Sequence, residues 1–342
     1  MDPSVSRVTI IMPVHNGERY LAPAMESMLG QTYADFEFLI LDDGSTDGTA
    51  EVLQQFARRD ARITIFTRHR LGLTKALNEL LAAATGEYVA RMDADDISLP
   101  GRLATEVAYL DEHPDVGLVS GNYFVIDQRG HVGATPGLSR EFVGAQVEWA
   151  LYWENPIVHP SVMFRTALVR ACGGYPEGHS HYADDYALWF TVAAATRIAV
   201  LHEPLLHLRK HDQNVTVVQH AGHLDDIIGT AQAALAARIG YEPSNRSVRI
   251  AKNWPVGTAY SRSDLDDALH LILSAYRQLL RADYVDAREL DFVDADLRSR
   301  LLQVIDTYSA LTSISTPRLS LVLARRIASR LRRAAQIGTK AS

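Results

Sequence analysis

The chain has a single cysteine, Cys172, in 342 residues. No disulfide can close within it, and a reducing compartment is expected. Long apolar runs are missing as well: no window of about 18 residues is free of charge, so no spanning helix is expected. The opening, MDPSVSRVTIIMPV, carries a proline and mixed charge ahead of a short apolar run. That run is too short for the core of a secretion signal and reads as a first buried strand. Basic residues are not in excess, and a net charge of -7 argues against nucleic acid as the main partner. Glycine-rich phosphate loops are absent too. No G-x-G-x-x-G follows the first apolar run and no G-x-x-x-x-G-K-[ST] occurs, which disfavours dinucleotide redox chemistry and P-loop phosphoryl transfer. There is no internal repeat and no low-complexity tract.

What is present is ordinary globular material, 47% hydrophobic and 22% charged, enough for one large domain with an appendage. In the first half, short apolar runs alternate with amphipathic stretches. Strands are expected at 8–14, 36–41, 63–66, 88–92 and 116–120, and helices at 18–29, 49–58, 73–84 and 102–112. Continuous apolar strands alternating with helices imply an α/β fold whose mainly parallel sheet is covered on both faces. In such sheets ligands sit beyond the carboxyl ends of the strands. Three of these ends are polar: His15-Asn16-Gly17, Asp42-Asp43-Gly44-Ser45 and Asp93-Ala94-Asp95. From about 125 to 215 the alternation loosens, and from 221 onward the pattern is helical, with helices expected at 264–281, 287–309 and 317–335. The expected organisation is therefore a domain at 1–220, its halves meeting near 124, and a helical region at 221–342.

Arg91-Met92-Asp93-Ala94-Asp95-Asp96 places three carboxylates within four residues at the end of an apolar run. Like charge so concentrated calls for a cation. Hard oxygen donors at this spacing suit Mg²⁺ or Mn²⁺, ions normally shared with nucleotide phosphates. A plain solvated turn is the competing reading. In Asp42-Asp43-Gly44-Ser45-Thr46-Asp47-Gly48-Thr49 helix capping accounts for part of the pattern. It does not account for two consecutive acids ending an apolar strand, where a carboxylate can accept the N–H of a uracil or guanine.

The stretches VTIIMPVHNGERYLAPAMESMLGQTYADFEFLILDDGSTDGT and GLTKALNELLAAATGEYVARMDADDISLPGRL resemble the opening of family 2 glycosyltransferases. The likeness covers 7–124 closely, 153–216 less so, and nothing beyond about 220. It implies the GT-A fold, an αβα sandwich with a metal-binding D-x-D motif. By this resemblance Pro13, Val14 and Asn16 flank the base and Asp43 pairs with it. Asp93 and Asp95 form the D-x-D pair, with Ala94 between them on the nucleotide sugar, and Asp96 anchors the loop. His15 stands where the family has Tyr. Leu77 stands where it often has Arg, with Lys75 as a nearby charge that could substitute.

His181-Tyr182-Ala183-Asp184-Asp185-Tyr186-Ala187-Leu188-Trp189 resembles the family's E-D-Y-D-L-W segment. The resemblance implies that Asp185 is the catalytic base, with Asp184 as the second candidate; a helix-capping acid is the plainer reading. Inverting transfer needs one carboxylate to take the acceptor's proton on the face opposite the leaving nucleotide. Asn155-Pro156-Ile157-Val158-His159-Pro160-Ser161 and His207–Thr216 also resemble family segments. They place His159 and Arg209 at acceptor or phosphate, where the resemblance of the preceding segment also puts Trp189, and His211 at the metal or diphosphate. The tail 317–335 carries Leu319, Val322, Leu323, Ile327 and Leu331 on one stripe with arginines around it. That pattern fits either a peripheral contact with an anionic membrane or a packing helix with solvated arginines.

The expected function is metal-dependent, inverting transfer of a sugar from a nucleotide-diphosphate donor, a UDP-sugar favoured. The acceptor is expected to be a glycan or lipid-linked oligosaccharide of surface polysaccharide synthesis, and the place the cytoplasm or the inner face of its membrane. The rivals are a sugar-nucleotide pyrophosphorylase, which should carry a basic glycine-rich first loop, and a non-catalytic nucleotide-sugar-binding subunit.

Overall fold

A computed structural model describes residues 6–133, 141–177, 184–212, 214, 220–253, 260–281 and 285–312. The chain divides into two compact units, Met1–Phe142 with Pro156–His223, and Val143–Asn155 with Leu224–Ser342.

The first unit is built on a mixed sheet. Its strands are β1 (Val8–Val14), β2 (Phe36–Asp43), β3 (Ile63–Arg68), β4 (Tyr88–Arg91), β5 (Ile97–Ser98), β6 (Val116–Ile126), the short β7 (Phe142–Val143), β8 (Val162–Arg165) and β9 (Arg197–Arg209). The main path runs β3-β2-β1-β4-β8-β6-β9-β5. The four strands β3, β2, β1 and β4 are parallel, each joined to the next in sequence by a helical crossover, as parallel neighbours require. β8 then runs antiparallel to both β4 and β6, while β6 and β9 are parallel to each other. The helices are α1 (Glu18–Leu29), α2 (Thr49–Arg59), α3 (Leu73–Ala83), α4 (Arg102–Glu112), α6 (Thr166–Ala171) and α7 (Asp184–Ala195). Every residue of β1 is buried, and β2 is buried at all but one position. At these two strands both faces of the sheet are therefore dry, which is why they read as unbroken apolar runs, while the edge strand β3 is largely half-buried or exposed.

Reversal at β8 sets the geometry of the site. Tyr88 pairs with Arg165 and Ala90 with Met163, so the exit of β4 and the entry of β8 share one edge of the sheet. A buried guanidinium spans that seam: Arg102 donates to the Arg91 carbonyl at 2.7 Å and to the Val162 carbonyl at 3.3 Å. Its charge is met by Glu106 at 3.2 Å, both side chains being fully buried.

In the second unit α5 (Ala145–Trp153) belongs with α8 (His220–Ile239), α9 (Asn245–Ala251), α10 (Arg262–Leu279) and α11 (Ala287–Thr312). The sequence places the boundary near 220 and keeps 143–155 with the sheet. The structure draws this helix into the helical unit for a packing reason. Trp149 Nε1 donates to Asp296 at 2.7 Å, the Ala145 amide donates to Glu289 at 2.8 Å, and Trp149 meets Tyr276 edge to face. The expected tail helix at 317–335 lies outside the described residues. Among those residues no helix is long and apolar enough to cross a membrane.

Candidate active site

A cavity of about 490 Å³ opens beyond the carboxyl ends of β1, β2 and β4. Its wall brings together Pro13, Val14, Asn16, Asp43, Asp93, Ala94, Asp95 and His211, eight residues singled out from the sequence. Lys75 is exposed on α3 and not in this wall; Leu73 and Ala76 are the α3 side chains that face it.

The loop after β1 is laced to the loop after β2. Asn16, at φ 52°, accepts the Thr46 amide at 2.8 Å and donates its own amide to Ser45 at 2.9 Å. Glu18 and Asp47 exchange caps: Gly48 N–H donates to Glu18 at 3.0 Å and Glu18 N–H to Asp47 at 3.2 Å. These acids satisfy helix-start amides that would otherwise lack partners. Imidazole Nδ1 of His15 lies 3.0 Å from the Asp43 carbonyl. The buried Asp43 carboxylate accepts the amides of Leu71 at 2.5 Å and Gly72 at 2.9 Å, so each oxygen keeps one lone pair for a ligand. Arg70 stands 3.9 Å away and is mostly exposed. Gly72, at φ 90°, starts α3, a backbone angle that favours glycine.

Asp93, Asp95 and Asp96 have carboxylate oxygens within 4.8 Å of one another. Asp93 meets the buried Arg91 at 2.5 Å. Asp95 meets His211 Nε2 at 2.9 Å, whose ring stacks on Tyr20 at 4.9 Å. Asp96 accepts the Arg209 amide at 2.8 Å through one oxygen, while its other oxygen is buried without a hydrogen bond. Burial raises the Asp93 carboxyl above the usual range, Asp95 adding to this and Arg91 opposing it. Burial and the two neighbouring acids raise Asp96 well above that range. Three hard oxygen donors, one with a buried unpaired oxygen, fit a divalent cation.

Arg209 does not reach the cavity. It is buried, and its guanidinium donates to the carbonyls of Asp95 at 2.8 Å and Asp127 at 3.1 Å and packs over Tyr20. The side chain expected at phosphate instead ties down the backbone of the acidic loop.

Asp184, Asp185, His159 and Trp189 form a second group, outside that wall. Asp184 is buried at the first turn of α7 and accepts the Thr74 hydroxyl. Asp185 is less buried, with its side chain 4.0 Å from His159 Nδ1. Trp189 is wholly buried and meets His159 edge to face, so it packs under the site instead of presenting a surface to an acceptor. Between the two groups lie Arg91 and Tyr175, neither given a role from the sequence. Arg91 is buried with Nε and Nη1 unpaired. Burial raises the Tyr175 phenol; Arg91 opposes the rise, while Asp185 and Asp93 add to it. The signals were a charge inside an apolar strand and the Gly173-Gly174 pair before Tyr175, both glycines at positive φ.

Residues 9–168 match the family model described as glycosyl transferase family 2. A Bacillus subtilis (strain 168) protein named as a candidate glycosyltransferase, EpsE, is 34% identical over 188 residues, which is 54% of this chain and 65% of that one. The chain thus spans just under two thirds of that relative's length. A Nostoc sp. protein named as an uncharacterised glycosyltransferase, alr2836, is 30% identical over 250 residues, 71% of this chain and 74% of the other. Among solved structures, S. aureus TarS 1–349 in complex with UDP-GlcNAc aligns over 98% of this chain and 91% of its own with a TM-score of 0.57 at 17% identity, a likeness of fold. GT-A architecture, the order of the acidic loops along the chain and a relative matched over most of its length agree: this transferase belongs to glycosyltransferase family 2.

Proposed function

We propose that the chain transfers a sugar from a nucleotide-diphosphate donor, a UDP-sugar in first place, to a hydroxyl of a glycan or lipid-linked oligosaccharide with inversion at the anomeric carbon. The observation that carries this reading is the convergence of Asp43, Asp93, Asp95 and His211 on one cavity at the strand ends. The TarS complex with UDP-GlcNAc supports a uridine donor.

In this reading the lone pairs left on Asp43 accept the N–H of the base, and Pro13, Val14 and Asn16 flank it. Asp93 and Asp95 would hold a Mg²⁺ or Mn²⁺ ion, with His211 beside Asp95. When bound, such an ion supplies Lewis-acid stabilisation to the departing diphosphate. Asp185 takes the proton of the acceptor hydroxyl as that oxygen bonds to the anomeric carbon and the bond to the diphosphate oxygen breaks. Asp185 is favoured over Asp184 because the latter is buried and already accepts from Thr74. Arg209 is given a structural part and Trp189 a packing one; Lys75 has no part in binding.

Purified protein with Mn²⁺ and a panel of UDP- and GDP-sugars tests the reading by thermal shift and by transfer or donor hydrolysis. Stabilisation by one class of nucleotide, and turnover abolished by EDTA, are expected. Asp185→Asn should lower kcat by ~10²–10⁴ with nucleotide binding intact. Near-wild-type turnover in that variant refutes the base assignment. Binding without any turnover in the wild type favours the non-catalytic subunit.

A further inference from the structure

His159, Tyr175 and Asp185 stand in a row. The Tyr175 hydroxyl lies 3.0 Å from His159 Nε2, and His159 Nδ1 lies 4.0 Å from Asp185. Tyr175 is fixed through its main chain, since Asn78 of α3 accepts its amide and donates to its carbonyl, each at 2.8 Å. A Cβ on the preceding Gly174, at φ +73°, would fall 2.7 Å from that asparagine oxygen, so this approach requires glycine. The indole of Trp189 covers the imidazole edge to face, with 5.7 Å between ring centroids. The imidazole therefore has little freedom to turn.

We propose that Tyr175 and His159 are positioning residues for the Asp185 carboxylate: the phenol donates to Nε2, which leaves the imidazole proton on Nδ1, on the side of Asp185. The inference rests on the assignment of Asp185 as base. It follows from complementarity, because the opposite tautomer would set a nitrogen lone pair against a carboxylate. Charged and titratable groups facing the ring are Asp185 of α7, Tyr175 after α6 and Arg91 of β4. Burial, then the positive charge of Arg91, hold the imidazole pKa well below its ordinary value. A neutral ring orients the carboxylate without cancelling its charge, so Asp185 keeps its capacity to take a proton. The 4.0 Å separation exceeds a hydrogen bond, and such contacts shorten when substrate is bound.

Nitrogen-15 NMR of histidine-labelled protein tests this directly, with the His159 signals identified by their loss in His159→Gln. The neutral Nδ1–H tautomer is expected between about pH 6 and 8. Tyr175→Phe removes one hydroxyl, and should weaken that tautomer and lower kcat roughly 10-fold, with KM for donor and the nucleotide thermal shift unchanged. His159→Leu should move the acid limb of the kcat/KM profile upward by on the order of 0.5–1 pH unit, because a donor to the charged carboxylate is lost. An imidazolium or an Nε2–H tautomer at pH 7 overturns the proposal. So do wild-type kcat and pH profile in both variants beside a slow Asp185→Asn. A fast Asp185→Asn variant instead overturns the base assignment itself.

Discussion

Arg102 and Glu106 show what single residues do beneath this site. The guanidinium joins two strands under the acidic loop, and its partner acid is pushed up to about 7 by burial, against the pull of Arg102. A carboxyl whose folded pKa lies above its unfolded value favours the fold fully below the unfolded pKa, and loses that contribution as pH rises through the folded one. For Glu106 the window runs from about 4.5 to about 7. Chemical denaturation across that window should show stability falling with pH by an amount on the order of 3 kcal/mol from this group. Glu106→Gln should flatten that fall; an unchanged slope would assign it to other groups. Little of this was legible in advance. Nothing in the sequence singles out Arg102 and Glu106, and only the fold reveals that the face they share is the one turned inward.

At the scale of elements, α10 is a helix whose start is fixed by side chains. Ser261 accepts the Asp264 amide at 3.1 Å and Asp264 accepts the Ser261 amide at 2.8 Å. Ser261→Ala should cost roughly 1 kcal/mol in urea unfolding, and it should leave nucleotide binding in the first unit untouched. A change in donor affinity would contradict that separation. Period and caps locate such elements well: β1, α1 and α4 lie where the sequence puts them to the residue. β6 runs on from Ser120, the last residue of the expected strand, to Ile126, and Gly121 is a close approach within it. A Cβ there would fall 2.5 Å from Leu205 of β9. Neither the antiparallel direction of β8 nor the pairing of distant β6 and β9 leaves a local trace, since strand order is decided by long-range packing. For the same reason the polar strand ends at 15–17, 42–45 and 93–95 could be grouped from sequence, whereas Tyr175, distant from them along the chain, could not. Arg91, though next to the acids in sequence, shows its buried place only in the fold.

For the molecule as a whole, the sequence beyond the described residues bears on where it works. The tail 317–335 combines apolar residues at helical spacing with arginines and no acid; we propose that it rests on anionic membrane, where lipid-linked acceptors reside, the alternative being a packing helix with solvated arginines. The 342-residue chain is expected to co-sediment with anionic liposomes, and a chain ending at Thr316 to stay in the supernatant. Equal partitioning of the two removes the idea.

At the seam between β4 and β8 the sheet changes from parallel to antiparallel pairing. Loops that follow the parallel strands crowd around the proposed donor, and those flanking the reversed strand carry His159 and, further on, Asp185. Along the sheet these territories meet at the β4–β8 pair, and the short β5 that follows the acidic loop ties back to β9. Exchanging segments on the reversed flank should retarget the enzyme toward new hydroxyls while its taste for one activated sugar persists.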